Sequence, residues 1–156
     1  MDDATATPTA DRYLAPGWFT QHVFNPMVAR LTRMGISLMG SRVLEVQGRK
    51  SGLPRRTVVN LLTLDGERHL VAPRGTTEWV RNVRAAGAAT LRVGRRAEQA
   101  RLVELADAEK PPVLRAYLDR WGWEVGQFFE GIDKGSSDAD LAGIAPGFPV
   151  FRLESL

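Results

Sequence analysis

The stretch Thr57-Val58-Val59-Asn60-Leu61-Leu62-Thr63-Leu64-Asp65-Gly66-Glu67-Arg68-His69-Leu70-Val71-Ala72 decides how this chain folds. A run of β-branched and aliphatic residues, Thr57 to Leu64, meets Asp-Gly, a strong short-range hairpin signal, and His69 to Ala72 resumes the apolar run. Two antiparallel strands joined by a tight turn follow, and Pro73-Arg74-Gly75 breaks the second. On the N-terminal side, Arg42 to Val46 alternates as a further strand. On the C-terminal side, Thr90 to Val93 and Ala97 to Glu104 flank a turn at Gly94-Arg95, and Phe148 to Leu153 forms a last strand. Consecutive strands lie too close together for the helical crossovers of a parallel α/β sheet.

Helices fill the remaining segments. Val23, Phe24, Met27, Val28, Leu31 and Met34 keep i, i+3, i+4 spacing, an amphipathic helix over about Thr20 to Met34 that Gly35 and Gly40 end. Thr76 or Thr77 caps a short helix from Glu78 to Ala86. Asp107 to about Trp121 reads as a helix with Pro111-Pro112 in its first turn, and Trp123 to Phe129 continues as a second helical segment. Asp133 to Ser137 is a loop and Asp138 to Ile144 a short helix. Residues 1–16 form a polar, mobile tail, and 17–156 a single domain. The fold class is α+β, mainly antiparallel β: six short strands in a small barrel or half-barrel with flanking helices.

The 156 residues are enough for one real core, with 44% hydrophobic and 25% charged residues. The absence of cysteine excludes disulfides and thiolate chemistry. No apolar run approaches the roughly 18 residues of a spanning helix. The acidic, small-residue N-terminus does not resemble a signal peptide, so the expected location is the cytoplasm. The net charge of +3 conceals a strong asymmetry. Arg49 to Arg101 holds twelve Lys/Arg and four Asp/Glu, a net of +8, whereas Leu102 to Leu156 stands at −5 and the first 48 residues at zero. Arginine supplies 18 of the 21 cations, which favours bidentate anion contacts.

That positive field centres on Gly48-Arg49-Lys50-Ser51-Gly52-Leu53-Pro54-Arg55-Arg56-Thr57. A turn between strands does not need four mutually repelling cations. A loop that grips a multiply charged anion does, with glycines admitting the backbone and cations neutralising phosphate or carboxylate. A second cluster, Ala72 to Val83, leads a Gly/Thr loop into a helix presenting Trp79, Asn82 and Val83 on one side, and a helix N-terminus favours anions. A third, Tyr117 to Trp123 followed by Phe128-Phe129, suits a planar apolar ligand or a helix pair over a barrel mouth. Competing chemistries fit poorly. His22 and His69 are the only histidines, and no serine lies in a nucleophile-elbow context, which argues against a catalytic triad. No ligand cluster for a metal is visible. Gly48 and Gly52 do not have P-loop spacing, and a strand rather than a helix follows them. The aromatics do not interleave with cations as a nucleic-acid stacking platform requires. His69 reads as a surface strand position.

Gly-Arg-Lys-Ser-Gly-x-Pro-Arg, a strand and Asp-Gly hairpin, Val-Ala-x-Arg-Gly, Trp-x-x-Asn and the strand Ala89-Thr90-Leu91-Arg92-Val93-Gly94 occur here in that order. Together they resemble the deazaflavin-dependent nitroreductase family of split β-barrel (FMN-binding-like) proteins, over roughly Arg42 to Glu104 with a C-terminal strand at Pro149 to Leu153. The resemblance implies coenzyme F420, an 8-hydroxy-5-deazaflavin with a ribityl chain, a phosphate and an acidic oligoglutamate tail. It places Arg49, Lys50, Ser51 and Arg55 at the phosphate and tail, counts Pro54 among the cofactor-binding residues, and puts Thr57, Val59 and Asn60 on the strand beside the ring. Ala72, Pro73, Arg74 and Gly75 match the loop near ring and phosphate, and Trp79 and Asn82 the helix that closes the site. Where members often carry serine and lysine, this chain has Pro73-Arg74, and proline donates no hydrogen bond. Tyr117, Trp121 and Trp123 are substrate-side candidates by position alone.

The implied activity is hydride transfer from reduced deazaflavin to an electron-poor acceptor: a quinone, nitroaromatic or activated enone. Such chemistry resides in the cofactor, which accounts for the lack of acid–base residues. An FMN-binding split-barrel reductase and a non-catalytic deazaflavin carrier are the alternatives. A peripheral contact with the inner face of the membrane, through the N-terminal helix, and a homodimer are compatible with this reading; a nucleic-acid partner is not expected.

Overall fold

The Asp65-Gly66 turn forms as read, with φ of +52° at Asp65 and +81° at Gly66, the left-handed pair that a tight two-residue hairpin requires. In the computed structural model, which describes residues 40–156, this turn joins β2 (Pro54–Leu64) to β3 (Glu67–Val71). The expected tail, the Thr20–Met34 helix and Gly35 lie outside the described residues. β1 (Ser41–Gln47) precedes this pair, and α1 (Glu78–Ala86), β4 (Ala88–Val93) and β5 (Arg96–Glu104) follow it. The chain continues through α2 (Pro111–Val125) and α3 (Asp138–Ile144) to β6 (Val150–Ser155).

Every strand pairing is antiparallel, and the six strands close into a barrel in the order β1-β2-β3-β6-β5-β4. Closure removes the exposed sheet edges that a six-stranded open sheet would carry. β2 starts three residues earlier than the apolar run, at Pro54 opposite Gln47. As the first strand residue, Pro54 forfeits no interior ladder bond.

The helix expected from Asp107 divides in two. A 3₁₀ turn at Asp107–Glu109 comes first, and α2 begins at Pro111 with the two prolines in its first turn. A continuous helix from Asp107 would need amide donors from both prolines, which have none. α2 then runs to Val125 and a 3₁₀ turn at Gly126–Phe128 completes the second helical segment.

Alternation along the strands sends one face into the barrel and the other outward. Leu44, Leu70, Leu91 and Phe151 fill the interior, and Val80 and Val83 of α1 close one end of it. Outside, Leu62, Val71 and Val150 meet Leu114, Trp121 and Leu141 of α2 and α3 in a second core. Phe129 stacks on Phe148 at 4.3 Å in that layer. Each fully buried Leu or Phe contributes roughly 1.5–3 kcal/mol through removal from water.

β3 is consequently covered on both faces, and this corrects the surface position expected for His69. Its side chain shares the outward face with Val71 and is only 4% exposed. Its Nδ1 makes no hydrogen bond among the described residues. Burial pushes its pKa down, the Arg152 charge adds to that, and Glu67 opposes it.

Candidate functional site

The end of the barrel closed by α1 is also where β1 passes into β2, and the residues of that crossing make a shaped loop. Gly48 N donates to Leu53 O at 2.8 Å, and Gly52 N donates to Gly48 O at 2.9 Å. Ser51 Oγ lies inside the loop and accepts from Leu53 N at 3.1 Å. A Cβ at position 48 would stand 2.9 Å from Ser51 Oγ and 3.1 Å from Leu53 O, so only glycine lets the two limbs approach this closely.

Asn82 fastens the loop to α1. Its Oδ1 accepts from the backbone N of Arg49 at 3.1 Å and from Arg49 Nη1 at 2.9 Å. The same Nη1 donates to Glu78 Oε1 at 2.9 Å. Asn82 is buried, and its amide oxygen is satisfied by Arg49, as a buried polar group requires. The Asn82 amide nitrogen makes no hydrogen bond among the described residues.

A cavity of about 510 Å³ opens between loop and helix. Gly48, Arg49, Lys50 and Ser51 form one wall; Arg55, Arg56 and Thr57 at the start of β2 form the floor; Arg74 and the α1 residues Thr77, Glu78, Trp79 and Asn82 form the other wall. Five cations therefore line it against one carboxylate, Glu78. They are not equally engaged. Arg56 pairs with Glu45 at 2.7 Å, and Arg49 is shared between Glu78 and Asn82. Lys50 and Arg55 have no ion-pair partner among the described residues. The hydrogen bond and charge of Arg49 hold the Glu78 carboxyl below its usual range. Thr77 stands at the N-cap of α1, yet its side chain does not cap, and its buried Oγ1 has no hydrogen-bond partner among the described residues.

Eight residues singled out from the sequence line this cavity: Arg49, Lys50, Ser51, Arg55, Thr57, Arg74, Trp79 and Asn82. Val59 and Ala72 lie in the barrel core beneath it. Pro54, Asn60, Pro73 and Gly75 flank it in sequence without lining it. Trp79 is half-buried, its ring 5.8 Å from that of Phe151. Tyr117 and Trp121 are fully packed in the second core, their rings 5.2 Å apart, and Trp123 is an exposed side chain of α2; none of the three lines the cavity. Gly48, Arg56, Thr77 and Glu78 complete the lining without having been singled out as site residues. Gly48 and Arg56 belong to the basic stretch itself. An acid facing a basic groove has no signature in sequence; only the turn of α1 brings it there. Among the described residues no group of His and carboxylates is placed to hold a metal ion, and no helix is long and apolar enough to cross a membrane.

A closed antiparallel six-stranded barrel with flanking helices is a split-barrel fold, and this one carries a cationic groove at one end. Comparison with known proteins carries this to a family. The family profile described as F420H(2)-dependent quinone reductase matches residues 20–124, and the chain belongs to that family. A search of curated proteins finds no match. Solved structures share the fold. The protein Atu2129 of Agrobacterium tumefaciens, of unknown function, aligns at 18% identity and TM-score 0.56 over 91% of this chain, which spans 58% of that protein's length. An F420-H2 dependent reductase, FDR-A, aligns at 18% identity and TM-score 0.50, covering 74% of this chain and 94% of its own. A structure described as a domain-swapped dimer aligns at 17% identity and TM-score 0.53 over 88% of this chain and 97% of that one. At these identities the likeness speaks for the fold alone.

Proposed function

We propose that this protein binds coenzyme F420 in the cavity between the Gly48–Leu53 loop and α1 and reduces a quinone with it. The observation that carries the reading is the convergence of Arg49, Lys50, Arg55, Arg56 and Arg74 on one cavity with a single opposing carboxylate. A ligand with one phosphate needs fewer cations than this; a phosphate followed by an acidic tail needs about this many. The donor set fits the group. Gly48 lets the loop fold tightly enough to present its cations on one wall, Lys50 and Arg55 have charge to give, and the Asn82 amide nitrogen and Thr77 hydroxyl offer unspent hydrogen-bonding capacity.

When bound, reduced F420 supplies a hydride donor. The chain's own residues bind and orient. Arg49, held at two points by Asn82, presents a guanidinium whose direction is set before any ligand arrives, which lowers the ordering cost of association. Lys50 and Arg55 meet the more mobile, distal charges. Trp79 gives the cavity an apolar side against which a planar ring can rest. The quinone acceptor rests on the family to which the chain belongs. A homodimer would have its parallel in the domain-swapped neighbour.

Titration with oxidised F420 and with flavin mononucleotide, followed by fluorescence, tests the reading. F420 should bind at micromolar concentration or better. Arg49→Ala combined with Lys50→Ala should weaken it about tenfold or more at low salt, with a smaller effect at high salt. Binding of the flavin alone would refute the assignment. Tight F420 binding without oxidation of its reduced form by menadione would instead mark a carrier.

A further inference from the structure

A threonine at a helix N-cap ordinarily turns its hydroxyl oxygen toward the first-turn amides and satisfies one of them. Thr77 holds the N-cap of α1 with the extended backbone that this role requires, φ −81° and ψ 178°, yet its side chain caps nothing. The first bond of the helix runs from Arg81 N to Thr77 O at 3.1 Å. The amides of Glu78, Trp79 and Val80 precede it and have no acceptor within the helix.

The hydroxyl is equally unspent. Thr77 is only 4% exposed, and its Oγ1 has no hydrogen-bond partner among the described residues. A buried hydroxyl without a partner carries a cost that valine, of the same shape, would not. Thr77 nevertheless stands in the wall of the 510 Å³ cavity, next to Glu78 and Trp79. An uncapped helix start and an unused hydroxyl thus meet at one wall. Their donors are neutral and fixed to the backbone or one bond from it, unlike the long charged side chains of Lys50 and Arg55. The positive end of the α1 dipole adds to them. The Glu78 carboxylate, which would oppose an anion there, is drawn to Arg49 Nη1 at 2.9 Å.

We infer that the start of α1 is the phosphate subsite of this cavity and that Thr77 is its specificity-determining residue, the ligand's phosphate taking the place of the missing cap. This fixes the direction in which the ligand lies: phosphate at α1, acidic tail toward Lys50 and Arg55. The inference rests on the coenzyme reading for the identity of the ligand. The subsite itself is reported by inorganic phosphate, so the two can fail separately.

Thr77→Val in the full-length chain is the test, with Thr77→Ser as the variant that keeps the hydroxyl. Without ligand, Thr77→Val should raise the urea midpoint, because it removes an unpartnered buried hydroxyl and no cap is lost. It should at the same time weaken F420 about tenfold, and Thr77→Ser should restore the affinity. The ratio of native to Thr77→Val affinity should hold at high salt, since a neutral donor is not screened as Arg49 and Lys50 are. The deazaflavin alcohol that lacks phosphate and tail should bind native and Thr77→Val protein alike. In ¹⁵N-labelled protein, inorganic phosphate should shift the amides of Glu78 and Trp79, and about tenfold more phosphate should be needed in Thr77→Val. A lower midpoint in Thr77→Val would make the hydroxyl structural and overturn the inference. Equal F420 affinity in native and Thr77→Val protein would overturn the subsite and leave the coenzyme reading standing. F420 failing to bind the native chain, with the phosphate shifts at Glu78 and Trp79 present and sensitive to Thr77→Val, would overturn the coenzyme and uphold the subsite. Phosphate shifts confined to Arg55 and Arg56 would overturn the subsite directly.

Discussion

Asn82→Ala is the substitution that asks most of the site. Asn82 Oδ1 accepts one hydrogen bond from a neutral backbone amide and one from a guanidinium, at 3.1 and 2.9 Å. A neutral hydrogen bond contributes about 1 kcal/mol net and one from a charged donor about 1.5–3 kcal/mol. Their sum is an upper bound, because the Arg49 side chain is 23% exposed and water can replace part of what it loses. The expected destabilisation is about 1–2.5 kcal/mol, or a fall in Tm of roughly 3–8 °C for a domain of this size. Urea unfolding of the variant measures it directly. A double-mutant cycle with Arg49→Ala isolates the side-chain bond, since the backbone bond survives that change; the coupling should be about 1 kcal/mol. Asn82→Asp separates positioning from charge. It keeps the acceptor, so stability should stay near the native value, while the added negative charge in the cavity should cut affinity for an anion about tenfold at low salt. A stability loss for Asn82→Ala below about 0.5 kcal/mol, together with no coupling to Arg49, would show that Asn82 does not fasten the loop.

Further predictions follow from the same geometry. Gly48→Ala should destabilise the fold by about 1–3 kcal/mol, seen as a lower urea midpoint, because its methyl would meet Ser51 Oγ at 2.9 Å and Leu53 O at 3.1 Å; an unchanged midpoint would mean that the loop yields freely. Glu78→Gln should raise affinity for inorganic phosphate at the Arg49 cavity about two- to fivefold at low salt, since the carboxylate competes for Arg49; isothermal titration of both proteins decides it, and equal constants would remove Glu78 as a competitor. The buried His69 has a folded pKa below its ordinary 6.5, so between those two values the unfolded chain binds more protons and stability falls as pH drops below about 6.5. Glu45 and Glu98, also depressed, add their losses only below their ordinary 4.5. Urea midpoints from pH 7 to 5 should therefore decline in the native chain and flatten in His69→Gln, and a slope that persists in the variant would assign it elsewhere.

The barrel was legible because its signals are local. Asp65-Gly66 demands left-handed backbone at two successive positions, and few structures other than a hairpin supply it. The basic loop was legible because four cations in ten residues exceed what a turn between two strands needs, even though Arg49 and Arg56 find partners in Asn82, Glu78 and Glu45. His69 escaped for a physical reason. Strand alternation distinguishes a dry face from a wet one, but β3 lies between the barrel interior and α2–α3 and has no wet face. The aromatics of α2 illustrate the converse. Tyr117 and Trp121 carry the composition of a ligand site, yet the same composition builds a core, and only packing reveals which. The role of Asn82 was half legible: its burial could be argued from Val83 and Trp79 beside it, but its partner lies 33 residues earlier, a separation that no local pattern spans.

α1 carries consequences beyond the site it borders. Val80 and Val83 stopper the barrel, while Glu78 and Asn82 of the same nine-residue helix, with Thr77 at its N-cap, face the cavity. One short element is thus shared by the folding equilibrium and the binding equilibrium, and the two are linked. A ligand held by the cavity face at a hundred times its Kd adds about 2.7 kcal/mol to the stability of the whole domain. A core change that loosens the stopper weakens the ligand by the same reciprocity. In a cell, the lifetime of this chain would then follow the supply of what it binds, so that a shortage is answered by clearance of the empty protein as well as by loss of turnover.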